Sequence, residues 1–293
     1  MSRLLIVDGH AYAYRAFHAI RDLRGPEGRP TNAIYGFVKM FEKMRSALAP
    51  THLAVVWDGG LSAGRLAVLP EYKAQRPEMP TELRPQLDEI VRYLAAVSVT
   101  SVCQPGVEAD DYIACLARQA AKAGWNVVIA SSDKDFMQLV SPQIGLLNPN
   151  DKSGTIWTRE QVRAKAGVEP EQVADWLALM GDAVDNIPGV PGVGPKTAVG
   201  LLQQFGSVTA LLERLDEVRS DRLRAVLAEA TEVLHRNLML VRLPEVPCVF
   251  VPEHLAARPA GREQLRGLFC RWGFKGMSGA LDAAPELKQA DLI

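Results

Sequence analysis

LLIVDG, residues 4–9, is four consecutive apolar residues closed by an aspartate and a glycine, and the pattern returns as LAVVWDGG at 53–60 and NVVIASSDKD at 126–135. Short apolar runs without alternation are how parallel strands buried on both faces read. VSVTSV at 97–102 adds a fourth run, with its strand expected over 97–99. Between the runs lie stretches of helical spacing near residues 33–48, 82–96 and 110–123, the last stopped by Gly124. Strand and helix in alternation define an α/β fold with a mostly parallel central sheet and flanking helices. From about Thr158 the apolar residues take helical spacing, as in VADWLALM and AVGLLQQF, and are punctuated by Gly and Pro rather than by strands. The expected organisation is an α/β core over 1–157, a helical part over 158–277, and a small polar tail over 278–293 that reads as a flexible end.

The 293 residues, 48% hydrophobic and 23% charged, are those of a folded globular protein with core enough to need no disulfide. A formal net charge of −1 leaves the question of a nucleic-acid partner to the local distribution of charge. Cys103, Cys115, Cys248 and Cys270 are scattered and form no CxxC pair, as suits a reduced cytoplasm. No basic-then-apolar leader precedes Arg3, and no apolar run approaches the roughly 18 residues of a membrane span, so no membrane is expected as a partner.

The acidic residues carry the chemistry. Asp8 and Asp58 close their runs, Glu108, Asp110 and Asp111 follow the third, and Asp133 and Asp135 follow the fourth. In an open parallel sheet the strand C-termini face one crevice, so these seven carboxylates converge there, with Asp182 and Asp185 of GDAVDN joining from the helical part. Singly, each has a plainer explanation: Asp133 suits a helix N-cap, and the 108–111 acids suit a first helical turn. Together they repel, by roughly 4 kcal/mol for each pair at 4 Å in a medium of dielectric near 20, and need protons or cations to coexist. An all-oxygen set without interleaved His or Cys favours Mg²⁺ or Mn²⁺ over zinc, and His10 beside Asp8 stands alone. Two such ions serve phosphoryl chemistry.

Two further segments narrow the substrate. GGLSAGRLAVLPEYKAQRPEMP, residues 59–80, is neither a clean strand nor a clean helix, and brings Arg65, Tyr72, Lys73 and Arg76 between two acid-bearing runs. Its cations suit a scissile phosphate, and Tyr72 suits stacking on an unpaired base. Arg15, past Asp8, is a second phosphate contact on this reading. IPGVPGVGPKTA, residues 187–198, has glycine turns before a helix start at Pro195, the pattern of a helix-hairpin-helix grip on duplex backbone. There the backbone of Gly189, Val190, Gly192, Val193 and Gly194 approaches phosphate, and Lys196 and Thr197 add charge and a hydroxyl.

With these residues in hand, the chain resembles the polymerase-I type of 5′ nuclease domain, within the flap endonuclease family. The likeness is carried by LLIVDGHAYAYRAFHA, RPTNAIYGF, the WDGG strand end, EYKAQRP, GVEADDYIA, SSDKDFMQL and GDAVDNIPGVPGVGPKTA, and runs over residues 1–275. It implies a two-metal site, with Asp8, Asp58, Glu108, Asp110 and Asp111 in one group and Asp133, Asp135, Asp182 and Asp185 in the other. It implies a helical arch at about 60–90, through which a 5′ single strand passes, with Arg15, Lys73 and Arg76 near the scissile phosphate and Tyr72 beside the lysine. It also implies K⁺ at the hairpin, a DNA partner with a 5′ flap or end next to duplex, a polymerase domain in the same or another chain, and work at the bacterial nucleoid in replication and repair. One departure is visible. Arg65 stands in AGRLAVLPEYK, where polymerase-type sequences carry an aromatic before the arginine and a His-Glu pair after it.

Other readings fit less. A PIN-like ribonuclease also gathers acids at strand ends but needs neither the GVGPK hairpin nor so many carboxylates. A catalytically silent DNA-structure binding module has no use for all nine acids. A dinucleotide oxidoreductase lacks GxGxxG after the first strand, where Asp8 would repel a pyrophosphate.

Overall fold

The computed structural model describes residues 2–283 apart from residue 152. In chain order the main elements are β1 (Arg3–Asp8), α1 (Gly9–Ala19), α2 (Asn32–Leu48), β2 (His52–Trp57), α3 (Ala63–Val68), α4 (Arg84–Ala96), β3 (Thr100–Cys103) and α5 (Ala109–Lys122). There follow β4 (Asn126–Ala130), β5 (Ile144–Leu147), β6 (Ile156–Trp157), α6 (Arg159–Ala166), α7 (Val173–Met180), β7 (Gly181–Asp182) and β8 (Ile187–Pro188). The chain then runs through α8 (Pro195–Phe205), α9 (Val208–Glu213), α10 (Asp221–Glu229), α11 (Thr231–Val241), α12 (Pro252–Leu255), α13 (Arg262–Trp272) and α14 (Lys275–Ala283). Two compact units interleave along it. One takes the chain up to Asp8, Val56–Glu78 and Cys103–Phe250; the other takes Gly9–Val55, Met79–Val102 and the chain from Val251.

The first unit is built on β1. Leu4 to Val7 are fully buried, which is why the run shows no polar alternation. β1 pairs in parallel with β4, Leu4 opposite Val127 and Val7 opposite Ala130, and β4 pairs in parallel with β5. The residues after these two strands, Asp8 and Ser131 onward, therefore emerge at the same edge. β6 closes the sheet antiparallel to β5. α5 packs its buried Ile113, Leu116, Ala117 and Ala120 against β1 and β4. The last residues of β2 belong here too, and the loop after them is pinned: Gly59 N–H donates to Val107 O at 3.0 Å, and Gly106 N–H to Gly59 O at 2.8 Å. A Cβ on Gly59 would lie 1.8 Å from Gln104 O, so only glycine allows the close approach of the loop after Asp58 to residues 104–107.

In the helical part of this unit α7 packs against α8 and α11. The acid-bearing loop 182–185 is closed by a ladder, Gly181 to Pro188 and Asp182 to Ile187, where the sequence pattern shows no strand. A Cβ on Gly189 would sit 2.0 Å from Met180 O, so backbone meets backbone directly. Asn237 of α11, fully buried, spans the junction, its Nδ2 donating to Ala178 O at 3.0 Å and Pro188 O at 2.8 Å.

In the second unit α1, α2, α4 and α13 accompany β2 and β3. Gln86 is buried, accepts from Ala33 N–H at 2.8 Å at the unsatisfied start of α2, and donates to Asn32 Oδ1. Phe37 stacks on Phe41, and Tyr93 meets Phe41 edge-on.

Three expectations change. Residues 97–99 are not strand: Val97 caps α4, Ser98 takes φ 55, and the strand starts at Thr100. Residues 84–90, assigned to the arch, open the packed helix α4, with Gln86 and Ile90 buried. Residues 278–283, assigned to the tail, continue α14, while 284–293 lie outside the described residues. No helix among the described residues is long and apolar enough to cross a membrane.

Candidate metal centre

All nine carboxylates lie in the first unit. Asp8 Oδ2 accepts from the hydroxyl of the fully buried Ser131 at 2.8 Å, and the same oxygen of Ser131 accepts from Asp133 N–H at 3.1 Å. One serine thus orients the acids that end β1 and follow β4. Asp58 Oδ1 accepts from Gly60 N–H at 2.8 Å. Glu108 is fully buried at the start of α5 and receives Ser62 N–H at 3.0 Å, Tyr72 O–H at 3.2 Å, Arg65 at 3.1 Å and the Lys73 ammonium. Asp110 lies 3.7 Å from Lys73 Nζ.

The second group is tighter. Asp133 Oδ1 accepts from Asp135 N–H at 2.9 Å, and Asp182 Oδ1 accepts from Lys134 Nζ at 2.8 Å and Val184 N–H at 3.0 Å. Asp185 receives Arg76 at 2.7 Å and Tyr72 O–H at 3.3 Å, with Lys73 Nζ 3.8 Å away. One oxygen each from Asp135, Asp182 and Asp185 lie within 4.8 Å of one another.

The electrostatics ask for cations. Burial pushes the Asp133 carboxyl up to about 6, helped by Asp110, Asp185 and Asp8. Burial followed by Asp133, Asp182 and Asp185 pushes Asp135 well above the usual range. Arg65, Lys73, Arg76 and Lys134 form ion pairs with Glu108, Asp110, Asp111, Asp182 and Asp185. Asp135 Oδ1 is buried without a hydrogen-bond partner among the described residues, the condition of an oxygen that a metal ion would satisfy. The residues therefore fit divalent metal, held by oxygen donors alone.

The structure redistributes several roles. Asp111 spends both oxygens on Arg65, in two bonds of 2.8 Å, so it anchors the arginine rather than offering open metal-ligand positions. Burial lifts its carboxyl to about 6 despite the guanidinium. Arg65 is only 6% exposed and also donates to Leu240 O and Arg242 O, so it cannot reach DNA. Tyr72, 2% exposed, has no face for a base. Lys73 is buried in left-handed backbone at φ 56, its N–H held by Asp185 O at 3.0 Å, strain of the kind that gathers at functional sites. Arg76 reaches solvent and Asp185 together. Arg15 is exposed on α1, in the other unit. In the hairpin, Val190 and Val193 are buried and their N–H groups go to Leu179 O and Val190 O, and Gly189 is taken up by backbone packing. These three hold the turn; Gly192, Gly194 and Lys196 are the exposed surface, with Thr197 half-buried. Ser131 and Lys134 are the residues that sequence reasoning missed. Their place in SSDKD, directly after a buried strand and between two acids, was the available signal.

A sheet edge that gathers carboxylates around a buried, unsatisfied oxygen defines a metal-dependent enzyme of the phosphoryl-transfer kind. Residues 3–167 match the 5′-3′ exonuclease N-terminal, resolvase-like domain, and 168–263 match the 5′-3′ exonuclease C-terminal SAM fold. A 5′-3′ exonuclease of Aquifex aeolicus is 42% identical over 83% of this chain and 82% of its own length. DNA polymerase I of Mycobacterium bovis is 40% identical over 91% of this chain, which spans 30% of that protein. A bacteriophage T5 flap endonuclease, solved as a pseudo-enzyme-product complex with DNA and metal ions, is 26% identical with a TM-score of 0.69, over 83% of this chain and 89% of that one. The chain belongs to the 5′-3′ exonuclease and flap endonuclease family of nucleases.

Proposed function

We propose that the chain hydrolyses DNA phosphodiesters where a 5′ single strand or end meets duplex, using two hard divalent ions, Mg²⁺ or Mn²⁺, and leaving 5′-phosphate and 3′-hydroxyl ends. The observation that carries this reading is the buried Asp135 oxygen, without a hydrogen-bond partner among the described residues, in the cluster that Asp135 forms with Asp182 and Asp185. Asp8, Asp58, Glu108 and Asp110 would hold one ion, and Asp133, Asp135, Asp182 and Asp185 the other. Bound there, such a pair supplies a water of lowered pKa and neutralises charge on the reacting phosphate.

The protein's own residues do the positioning. Ser131 fixes Asp8 and Asp133 in one register. Arg76 and Lys73 share a turn, Arg76 N–H donating to Lys73 O at 3.1 Å, and both point at Asp185, where they hold a scissile phosphate and offset its developing charge. Gly192, Gly194, Lys196 and Thr197 meet duplex backbone without reading sequence, with K⁺ as a bridging ion. Arg15 as a phosphate contact rests on the family resemblance alone. The likeness to polymerase I supports work in replication and repair at the bacterial nucleoid, beside a polymerase domain in the same or another chain.

With Mg²⁺, a labelled 5′-flap duplex should be cut near the junction, and Asp133→Asn should stop cutting while sparing DNA binding. A chain inert on flap, nicked and recessed substrates under both metals would overturn the reading.

A further inference from the structure

Next to Asp133 a cavity of about 430 Å³ opens between the 132–137 turn and the β5–β6 ladder. Its volume is in the range, about 300–1,000 Å³, of sites that bury small organic ligands. Its lining is mixed. Met137 and Leu146 are apolar, Lys134 and Lys165 are cationic, Trp157 offers a ring, and Asp133 joins it to the metal centre.

Trp157 is set for use. Its backbone pairs with Leu146 across the ladder, and its indole N–H donates to Asp151 Oδ2 at 2.8 Å, which orients the ring. Asp151 is itself held by Ser153 N–H at 2.9 Å. The cations differ. Lys134 is neutralised by Asp182, whereas Lys165, exposed on α6, has no acidic partner among the described residues. A ring of fixed orientation, an uncompensated ammonium and a shared wall with a phosphate-cutting centre are complementary to a nucleobase with its phosphate.

We propose that this cavity takes one nucleotide of the strand being cut, its base against Trp157 and a phosphate against Lys165. The proposal rests on the nuclease reading above, and two nucleotides offer the same chemistry: the one on the 5′ side of the scissile bond and the one on its 3′ side.

The test has two readouts. Calorimetry with deoxyadenosine 5′-monophosphate reads the pocket without cleavage. Trp157→Ala should weaken binding roughly tenfold, the scale of lost base stacking. Lys165→Ala should weaken binding and flatten its salt dependence, while Trp157→Phe, which keeps a ring and spares the β-ladder, stays near wild type. Deoxyribose 5-phosphate, with no base, should not distinguish Trp157→Ala from wild type. Single-turnover cutting then separates the sources: an abasic site on one side of the scissile bond should erase the Trp157→Ala defect, and that side is the one bound. Wild type that does not bind the nucleotide, Trp157→Phe as impaired as Trp157→Ala, or an equal Trp157→Ala defect on intact and both abasic substrates would each overturn the pocket. Failure of wild type to cut anything would instead sink the nuclease reading, since binding is measured apart from it.

Discussion

Arg65→Met is the substitution that best separates a DNA contact from an internal anchor. Arg65 gives Asp111 two bonds of 2.8 Å, lies 3.1 Å from Glu108, and donates to Leu240 O at 3.0 Å and Arg242 O at 3.3 Å, joining α3, α5 and the end of α11. Glu108 keeps Lys73 as a partner after the change, so the stranded anion is Asp111. Leaving one buried charge unpaired costs about 3–5 kcal/mol. At roughly 2–4 °C per kcal/mol for a chain of this size, the melting temperature should fall by about 10 °C. Arg65→Met combined with Asp111→Leu should recover most of that loss, because a buried ion pair replaced by apolar neighbours is close to neutral. The assay is thermal unfolding followed by circular dichroism, with duplex affinity measured by fluorescence anisotropy well below the transition. A variant that melts within about 1 °C of wild type while losing DNA affinity would put the guanidinium on DNA and refute the buried anchor.

Four further outcomes are expected. Gly189→Ala drives a Cβ to 2.0 Å from Met180 O, so it should lower stability by about 3 kcal/mol and depress cleavage with it, read by urea unfolding and a flap assay. Ser131→Ala removes the hydroxyl shared by Asp8 and Asp133; single-turnover cleavage should slow at least tenfold with duplex affinity unchanged, and an unchanged rate would show those acids to be oriented by other contacts. Asn237→Leu should cost about 2 kcal/mol in urea, since two carbonyls, the one of Ala178 buried, lose their donor. Asp111 and Asp133 titrate near 6 in the fold, above the usual value near 4, so the folded state holds more protons between the two. Stability of the metal-free protein should therefore fall as pH rises from about 4 to 6, and added Mg²⁺ should flatten that slope; a rise over the same window would overturn the assignment.

The acids were legible because a buried parallel strand writes itself as an unbroken apolar run, and the residue after it marks the sheet edge. Asp8, Asp58, Asp133 and Asp135 could be found this way. The 59–80 segment could not, because folding inward leaves no periodic trace: Arg65, Tyr72 and Lys73 read as loop residues facing water, yet all three are buried, Arg65 and Lys73 paired with Glu108, Asp111 and Asp185 and Tyr72 donating to Glu108 and Asp185. Val190 and Val193 mislead in the same manner, since a turn rich in Gly and Pro gives no sign of which side chains hold it down. The run 97–99 was apolar enough for a strand, but Ser98 at φ 55 is a backbone event that composition does not announce. The two-residue ladders of β6 and of β7 with β8 are too short to show any alternation.

The direct backbone contact of Gly189 with Met180 and Gly181, closed by the β7–β8 ladder, couples Asp182 and Asp185 to the start of the hairpin with almost no compliance. On the proposed reading, the place where duplex is gripped and the place where the strand is cut are two marks on one rigid gauge. The spacing between grip and cut is then a length built into the backbone, and a side-chain change on the hairpin surface should alter how tightly DNA is held without shifting the position of the cut by a nucleotide.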